Sequence, residues 1–250
     1  MKIGGGGVLS KGSSVPTEKK SLDGYDIHQY SIPLITVDMG IFSIIDKQLN
    51  ILLVRRESHP EKAKLALPGG FINQDKDIDI EATALRKLKK KTGVKLSYLE
   101  QVESIGNANR DPRGWSVTIL YFALIDSNRV NKKLLGNSSW HPVDEVHSIP
   151  LAFDHNLLVT KAIKRLRSKT LYTALPMALL PDKFTLTELQ TIFEIILSRK
   201  LTVKSFRRRV IDAGVVEVTD ESKISGKRHA KLYKSIGIKK DFYFPRPLQK

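Results

Sequence analysis

Cysteine is missing from all 250 residues. Its absence removes disulfides, thiolate nucleophiles and Cys-based zinc sites together. Long apolar runs are missing too, and nothing approaches the roughly 20 residues that a membrane-crossing helix requires. Residues 1–14 include Gly4, Gly5, Gly6 and Gly7 but no apolar stretch of a secretory signal. A cytoplasmic chain without a membrane partner is therefore expected. The six histidines (His28, His59, His141, His147, His155 and His229) contain no i,i+4 pair, so no metal site is expected among them. Acidic residues are scarce relative to basic ones, 26 against 42, for a net charge of +16. Such an excess favours a polyanionic partner, nucleic acid first. Residues 170–250 hold 16 Lys or Arg and 8 Asp or Glu, so half of the excess sits in the last third.

Three segments separate by pattern. Residues 1–24, rich in Gly, Ser and Lys, read as a flexible basic arm. Over 25–169 strands and helices alternate. Residues 34–45 and 49–54 read as strands around the turn Asp46-Lys47-Gln48, and 115–125 as a further strand. Residues 78–92 read as a helix with Ile80, Ala84, Leu85 and Leu88 on its buried face, closed by Gly93, and 153–168 as a second helix. Over 170–250 the pattern changes. Thr185 caps a helix to about Leu197, a second helix covers 203–213, and two short strands, 215–218 and 230–233, flank a basic turn.

Leu67-Pro68-Gly69-Gly70-Phe71, followed by a helix ending Thr92-Gly93-Val94, resembles the Nudix family. In that family's box Gly70 opens the pattern, Arg86 holds the arginine position, Leu88 the aliphatic one and Gly93-Val94 the close, with two extra residues between Gly70 and Arg86. The resemblance implies an N-terminal Nudix-like α/β/α sandwich. Its chemistry departs from the family. Nudix enzymes use glutamates to hold magnesium, and here three of those positions are Lys87, Lys90 and Lys91, with Lys76 near the fourth. A dication about 4 Å from one ammonium is repelled by roughly 8 kcal/mol at an effective dielectric of 20. Loss of the hydrolase mechanism is expected, with no catalytic residue and no metal. Asp77, Asp79 and Glu81 could in principle bind a metal from shifted positions, but acidic residues at a helix start ordinarily favour its dipole.

A ligand site remains. Arg55 and Arg56 precede the glycine loop, and Arg110-Asp111-Pro112-Arg113-Gly114 adds two guanidiniums in a turn. Planar guanidiniums suit bidentate grip on phosphate, although pairing with acids such as Glu57 or Asp111 is the competing use. The R-D-P-R-G turn is similar to one in Nudix domains that handle ADP-ribose. The resemblance implies that Arg55, Arg56, Gly69, Gly70, Phe71, Arg110, Asp111 and Arg113 bind ADP-ribose or a related NAD metabolite as an effector, with no cofactor. Asp154-His155 reads as architecture before ligand contact.

In the 203–213 helix, Val203, Phe206, Val210 and Ala213 share one side, which must be core. The other side carries Lys204, Ser205 and Arg208, flanked by Arg207 and Arg209, and suits the major groove. Lys227, Arg228, His229 and Lys231 cluster at the hairpin turn and resemble the wing of a C-terminal winged helix-turn-helix domain. From Ser31 to about Tyr233 the chain, α/β (α+β) in class, is similar to Nudix-related transcriptional regulators of NAD metabolism. That resemblance implies a homodimeric repressor on palindromic double-stranded operator DNA, relieved by ADP-ribose. Two other readings stay open: an active Nudix ADP-ribose pyrophosphatase with an accessory nucleic-acid-binding domain, and an RNA binder.

Overall fold

The computed structural model describes residues 24, 26, 29–92, 96–130, 136–225, 228–236, 243, 244 and 248. The chain divides after Ile32. Before that point Gln29 N donates to Asp26 O at 3.4 Å. The arm expected over 1–24 lies outside the described residues apart from Gly24.

Residues 33–250 form one unit built on a seven-stranded mixed sheet. β1 (Leu34–Ile45) is buried along almost its whole length. Its apolar composition suits a strand covered on both faces. The hairpin turn places Asp46 and Lys47 at positive φ, the two-residue geometry whose twist matches the strands, and leads into β2 (Gln48–Arg55). β3 (Leu65–Ala66) pairs with β2, and β4 (Gly69–Phe71) with β1. β5 (Tyr98–Asn107) pairs with β6 (Ser116–Leu124), which runs parallel to β1. β7 (Ser138–Pro142) closes on β2.

Alternation along β1 feeds two cores. Val37, Met39 and Ile41 share one with Ala84 and Leu88 of α1 (Ile80–Thr92). Phe42 and Ile44 share the other with Leu158, Val159 and Ala162 of α3 (His155–Tyr172), next to the short α2 (Val143–Val146). One helix on each face makes the α/β/α sandwich.

α1 corrects the expected helix. It begins at Ile80 because the Asp79 carboxylate accepts from Ala82 N at 2.6 Å and fixes the first turn. Its buried positions are Thr83, Ala84 and Leu88, whereas Ile80 and Leu85 are exposed. Positions 84 and 88 lie on one stripe, and 85 is turned about 100° from it.

The second half is tied to the first. α3 runs to Tyr172, so the boundary expected at 169/170 falls inside a helix. α4 (Leu186–Leu197) gives Ile192 and Ile196 to the α3 core, and Leu186, Leu189 and Phe193 to a third core. Thr185 and Glu188 form a capping box at its start, with Glu188 N donating to Thr185 Oγ1 at 3.1 Å and Thr185 N to Glu188 Oε2 at 2.8 Å. Phe206 and Val210 bury the inner face of α5 (Val203–Asp212), and Phe206 meets Phe193 edge-on at 5.1 Å. Val203 lies in the first turn and is half-exposed, so the core face is shorter than the spacing suggests. The hairpin of β9 (Val216–Ser225) and β10 (Arg228–Ser235) is longer than expected, and β8 (Lys183–Phe184) adds a third strand through Phe184 opposite Tyr233. Helix, turn, helix and hairpin constitute a winged helix. Among the described residues no helix is long and apolar enough to cross a membrane.

Candidate functional site

A cleft opens where β1, β4 and the start of α3 converge. Two glycines make room for it. At Gly69 a Cβ would sit 2.3 Å from both the Asp38 carboxylate and the Val37 carbonyl, so only glycine lets β4 lie on β1. Gly70 has φ +139°, and a Cβ there would lie 2.8 Å from Lys87 Nζ.

The floor is a buried ionic network. Arg110 donates Nε and Nη2 to the two Asp154 oxygens, each at 3.0 Å, and Nη1 to Ser116 Oγ at 3.4 Å. It lies 3.9 Å from Asp38, which also accepts from Thr118 Oγ1 at 2.7 Å. His155 Nδ1 accepts from Leu67 N at 2.8 Å, which leaves the ring proton on Nε2, 3.9 Å from Asp38. Burial holds the His155 pKa below its ordinary value, so the ring is neutral. Asp154 and His155 thus fasten the start of α3 to the sheet and the glycine loop, the architectural role.

Above this floor is an aromatic–guanidinium stack. Arg56 lies over the Phe153 ring at 4.6 Å, and Arg113 lies 5.7 Å from that ring and 4.8 Å from Phe71. Arg56 donates Nε and Nη2 to Pro60 O at 3.1 and 2.8 Å. Arg113 is held by Asp111 through Nε at 2.9 Å and Nη2 at 2.6 Å. Burial, and then the neighbouring Arg113 charge, lower the Arg56 pKa. The Arg113 guanidinium holds the Asp111 carboxyl below its usual range. Phe153 has φ 54°, a left-handed conformation that costs about 1–2 kcal/mol for a side-chain-bearing residue.

Of the expected ligand residues, Arg56, Gly69, Gly70, Phe71, Arg110, Asp111 and Arg113 line the cleft. Arg55 does not. Strand alternation turns it to the opposite side from Arg56, exposed, with Nη1 donating to Ala63 O at 2.7 Å. Glu57 accepts from Asn137 Nδ2 at 2.9 Å, and Asp111 does pair with Arg113, which still lines the cleft with its guanidinium fixed by that acid. The sequence reading missed Asp38 and Phe153. A lone acid inside the apolar run of β1 was the signal for Asp38.

The Nudix fold implies divalent metal, and the residues present do not fit it. Lys87 lines the cleft, and Lys90 is exposed on α1. The Asp77 carboxylate is taken by Arg86, by Thr83 Oγ1 at 2.8 Å and by Asn73 N at 2.8 Å. The Arg86 guanidinium keeps it well below the usual carboxylate range. Asp79 caps α1, which is the helix-start role. Gly93 and Val94 lie outside the described residues, as does the Lys91 side chain.

On the winged helix, Lys204, Ser205 and Arg208 are exposed on α5 and have no partner among the described residues. Arg207 is exposed and reaches Thr187 Oγ1 at 3.1 Å. Arg209 departs from expectation. Its guanidinium lies 4.1 Å over the Phe244 ring and Nη2 donates to Leu171 O at 3.4 Å, because position 209 sits at the border of the core face. His229 and Lys231 are exposed on β10. Lys227 and the Arg228 side chain lie outside the described residues.

The NUDIX domain model matches residues 35–162, and the model of the NrtR DNA-binding winged helix domain matches residues 176–235. Over 235 residues the chain is 52% identical to the ADPR responsive transcriptional repressor NtrR of Acinetobacter baylyi, covering 93% of this chain and 94% of that protein. The chain belongs to the NrtR family. The crystal structure of Shewanella oneidensis NrtR complexed with a 27mer DNA is 40% identical at a TM-score of 0.80, covering 86% of this chain and 99% of that one. The NUDIX domain of the same NrtR, in a cocrystal with ADP ribose, is 42% identical at a TM-score of 0.55 over 60% of this chain and 99% of that one.

Proposed function

We propose that the chain is an ADP-ribose-responsive transcriptional repressor of NAD-metabolism genes, a homodimer on palindromic operator DNA. Its Nudix-like domain senses the effector and is a pseudoenzyme. The observation that carries the sensor role is the stack of Arg56 and Arg113 on Phe153, two guanidiniums facing one ring in a cleft. Like charges so placed favour an anion between them. The cleft holds about 200 Å³, below the roughly 300–1,000 Å³ of whole small-molecule sites. It therefore takes the charged centre of the nucleotide, with the ends lying outside. Lysine at positions 87, 90 and 91 supports loss of hydrolysis.

DNA is read by α5, with Lys204, Ser205, Arg207 and Arg208 toward the groove and the β9–β10 wing beside it. α3 carries the signal. Asp154 holds its start to Arg110, and Arg165 and Lys169 clasp Glu100 at 2.8 and 2.9 Å. Arg167 Nε donates to Ile196 O of α4 at 3.0 Å. Its last carbonyls, at Leu171 and Tyr172, accept from Leu248 N and Phe244 N, each at 2.7 Å, and Phe244 packs under Arg209 of α5. A shift at the cleft thus reaches the recognition helix through one element. A dimer whose recognition helices leave the one-turn spacing loses its operator.

Footprinting on the chain's own upstream region tests this reading, with protection expected over a palindrome and lost when ADP-ribose is added. Magnesium-dependent release of AMP from ADP-ribose by the purified chain would overturn the pseudoenzyme assignment.

A further inference from the structure

We propose that Lys87 is an effector-binding residue whose ammonium takes over the role of the divalent cation, so that the cleft grips a nucleotide diphosphate without metal. The proposal rests on the sensor reading above and adds how the diphosphate charge is met.

Geometry places Lys87 there. α1 packs its Ala84–Leu88 stripe on the sheet, which turns position 87 toward the glycine loop. The Nζ atom then lies 2.8 Å from where a Gly70 Cβ would be, and the residue lines the same cleft as Arg56 and Arg113. Gly70 is needed for its φ of +139°, and a Cβ there would meet only the flexible end of the Lys87 side chain.

Charge decides between lysine and the acid that a Nudix hydrolase carries. The cleft and its anchor hold four cations, Arg56, Lys87, Arg110 and Arg113, against three carboxylates, Asp38, Asp111 and Asp154. His155 is neutral. Counted over these described groups, the balance is one positive charge. With glutamate at 87 it would be three cations against four carboxylates, one negative charge. A diphosphate dianion entering that second cleft needs a metal to bridge like charges, whereas in the first it meets an excess of cations directly. Arg110 is engaged in the floor of the cleft, three of its nitrogens donating to Asp154 and Ser116. The ammonium is a compact charge on a flexible stem and lies beside Gly70 at the cleft.

Calorimetric titration of the full chain with ADP-ribose, once with EDTA and once with magnesium, tests the proposal. The expected Kd is the same within about twofold in both buffers. Lys87→Gln weakens binding about 10-fold or more, the loss of one charge-assisted contact, and Lys87→Glu weakens it further. Lys87→Arg, which keeps the charge, stays within a few-fold of the parent, and this separates a charge effect from a packing one. Binding by the parent that appears only with magnesium overturns the metal-free assignment and leaves the sensor reading intact. A Lys87→Gln Kd equal to the parent's overturns it as well. A parent that binds ADP-ribose in neither buffer overturns the sensor reading and this proposal with it.

Discussion

The cleft and the recognition helix are both basic, and they use basic residues in opposite ways. In the cleft, Arg110 is almost wholly buried and bidentate to Asp154, Arg113 is fixed by Asp111, and Arg56 lies on Phe153. On α5, Lys204 and Arg208 are exposed and have no partner among the described residues. Cations held by carboxylates and rings are arranged in advance, lose little entropy on binding and suit a small ligand of fixed shape. Solvated cations stay mobile and draw on the counterions released from a polyanion. Arg209 shows the boundary between the two uses: one position along from Arg208, it is committed to Phe244.

Substitutions break this contrast to different depths. Arg110→Ala should do most, because it leaves Asp38 and Asp154 without their cation and so costs about 3–5 kcal/mol, read as a lower urea midpoint. Arg208→Ala and Lys204→Ala should leave that midpoint within about 0.5 kcal/mol. They should weaken operator binding by about 1–3 kcal/mol where a base edge is contacted, or lower the salt slope by about one where a phosphate is. Equal loss of stability in both groups would remove the contrast. Arg209→Ala should cost about 0.5–2 kcal/mol of stability through its ring contact and leave the salt slope of DNA binding unchanged. A fall in that slope would return Arg209 to the DNA face.

The smallest expected effect is a pH dependence. Burial lowers the pKa of folded His155, so below the unfolded value of about 6.5 the unfolded chain binds more protons. Stability from the neutral ring is complete above that pH and is lost as pH falls below it. His141 acts in the same direction, also through burial. His155→Asn should therefore flatten, without abolishing, the decline in melting temperature between pH 7 and pH 5.5. An unchanged slope would mean that His155 is not held neutral by its surroundings.

Much of this was legible beforehand, and the illegible part has physical causes. The apolar runs of β1 and β6 and the Pro-Gly-Gly loop mark the Nudix core, because strands covered on both faces leave a continuous apolar signature. Thr185 and Glu188 mark the start of α4 through the capping box. β5 was hard to see, since its outward positions are polar. Arg55 and Arg56 read alike in sequence, and only the pleat separates them. Arg208 and Arg209 differ by about 100° around a helix, yet the ring that claims Arg209 comes from Phe244, far along the chain. In sequence Phe153 marks only the start of the 153–168 helix. Its ring enters the cleft through a positive φ that no spacing rule predicts.

Effector and operator are linked through α3 in the proposed mechanism. Fluorescence anisotropy of a labelled operator duplex, at a fixed ionic strength near 0.15 M because phosphate contacts are salt-dependent, measures this linkage directly. Saturating ADP-ribose is expected to raise the operator Kd about 100-fold, a coupling of about 2.7 kcal/mol, and Arg56→Ala is expected to bind the operator normally but no longer respond. An operator Kd unchanged by ADP-ribose at concentrations that fill the cleft would contradict the linkage.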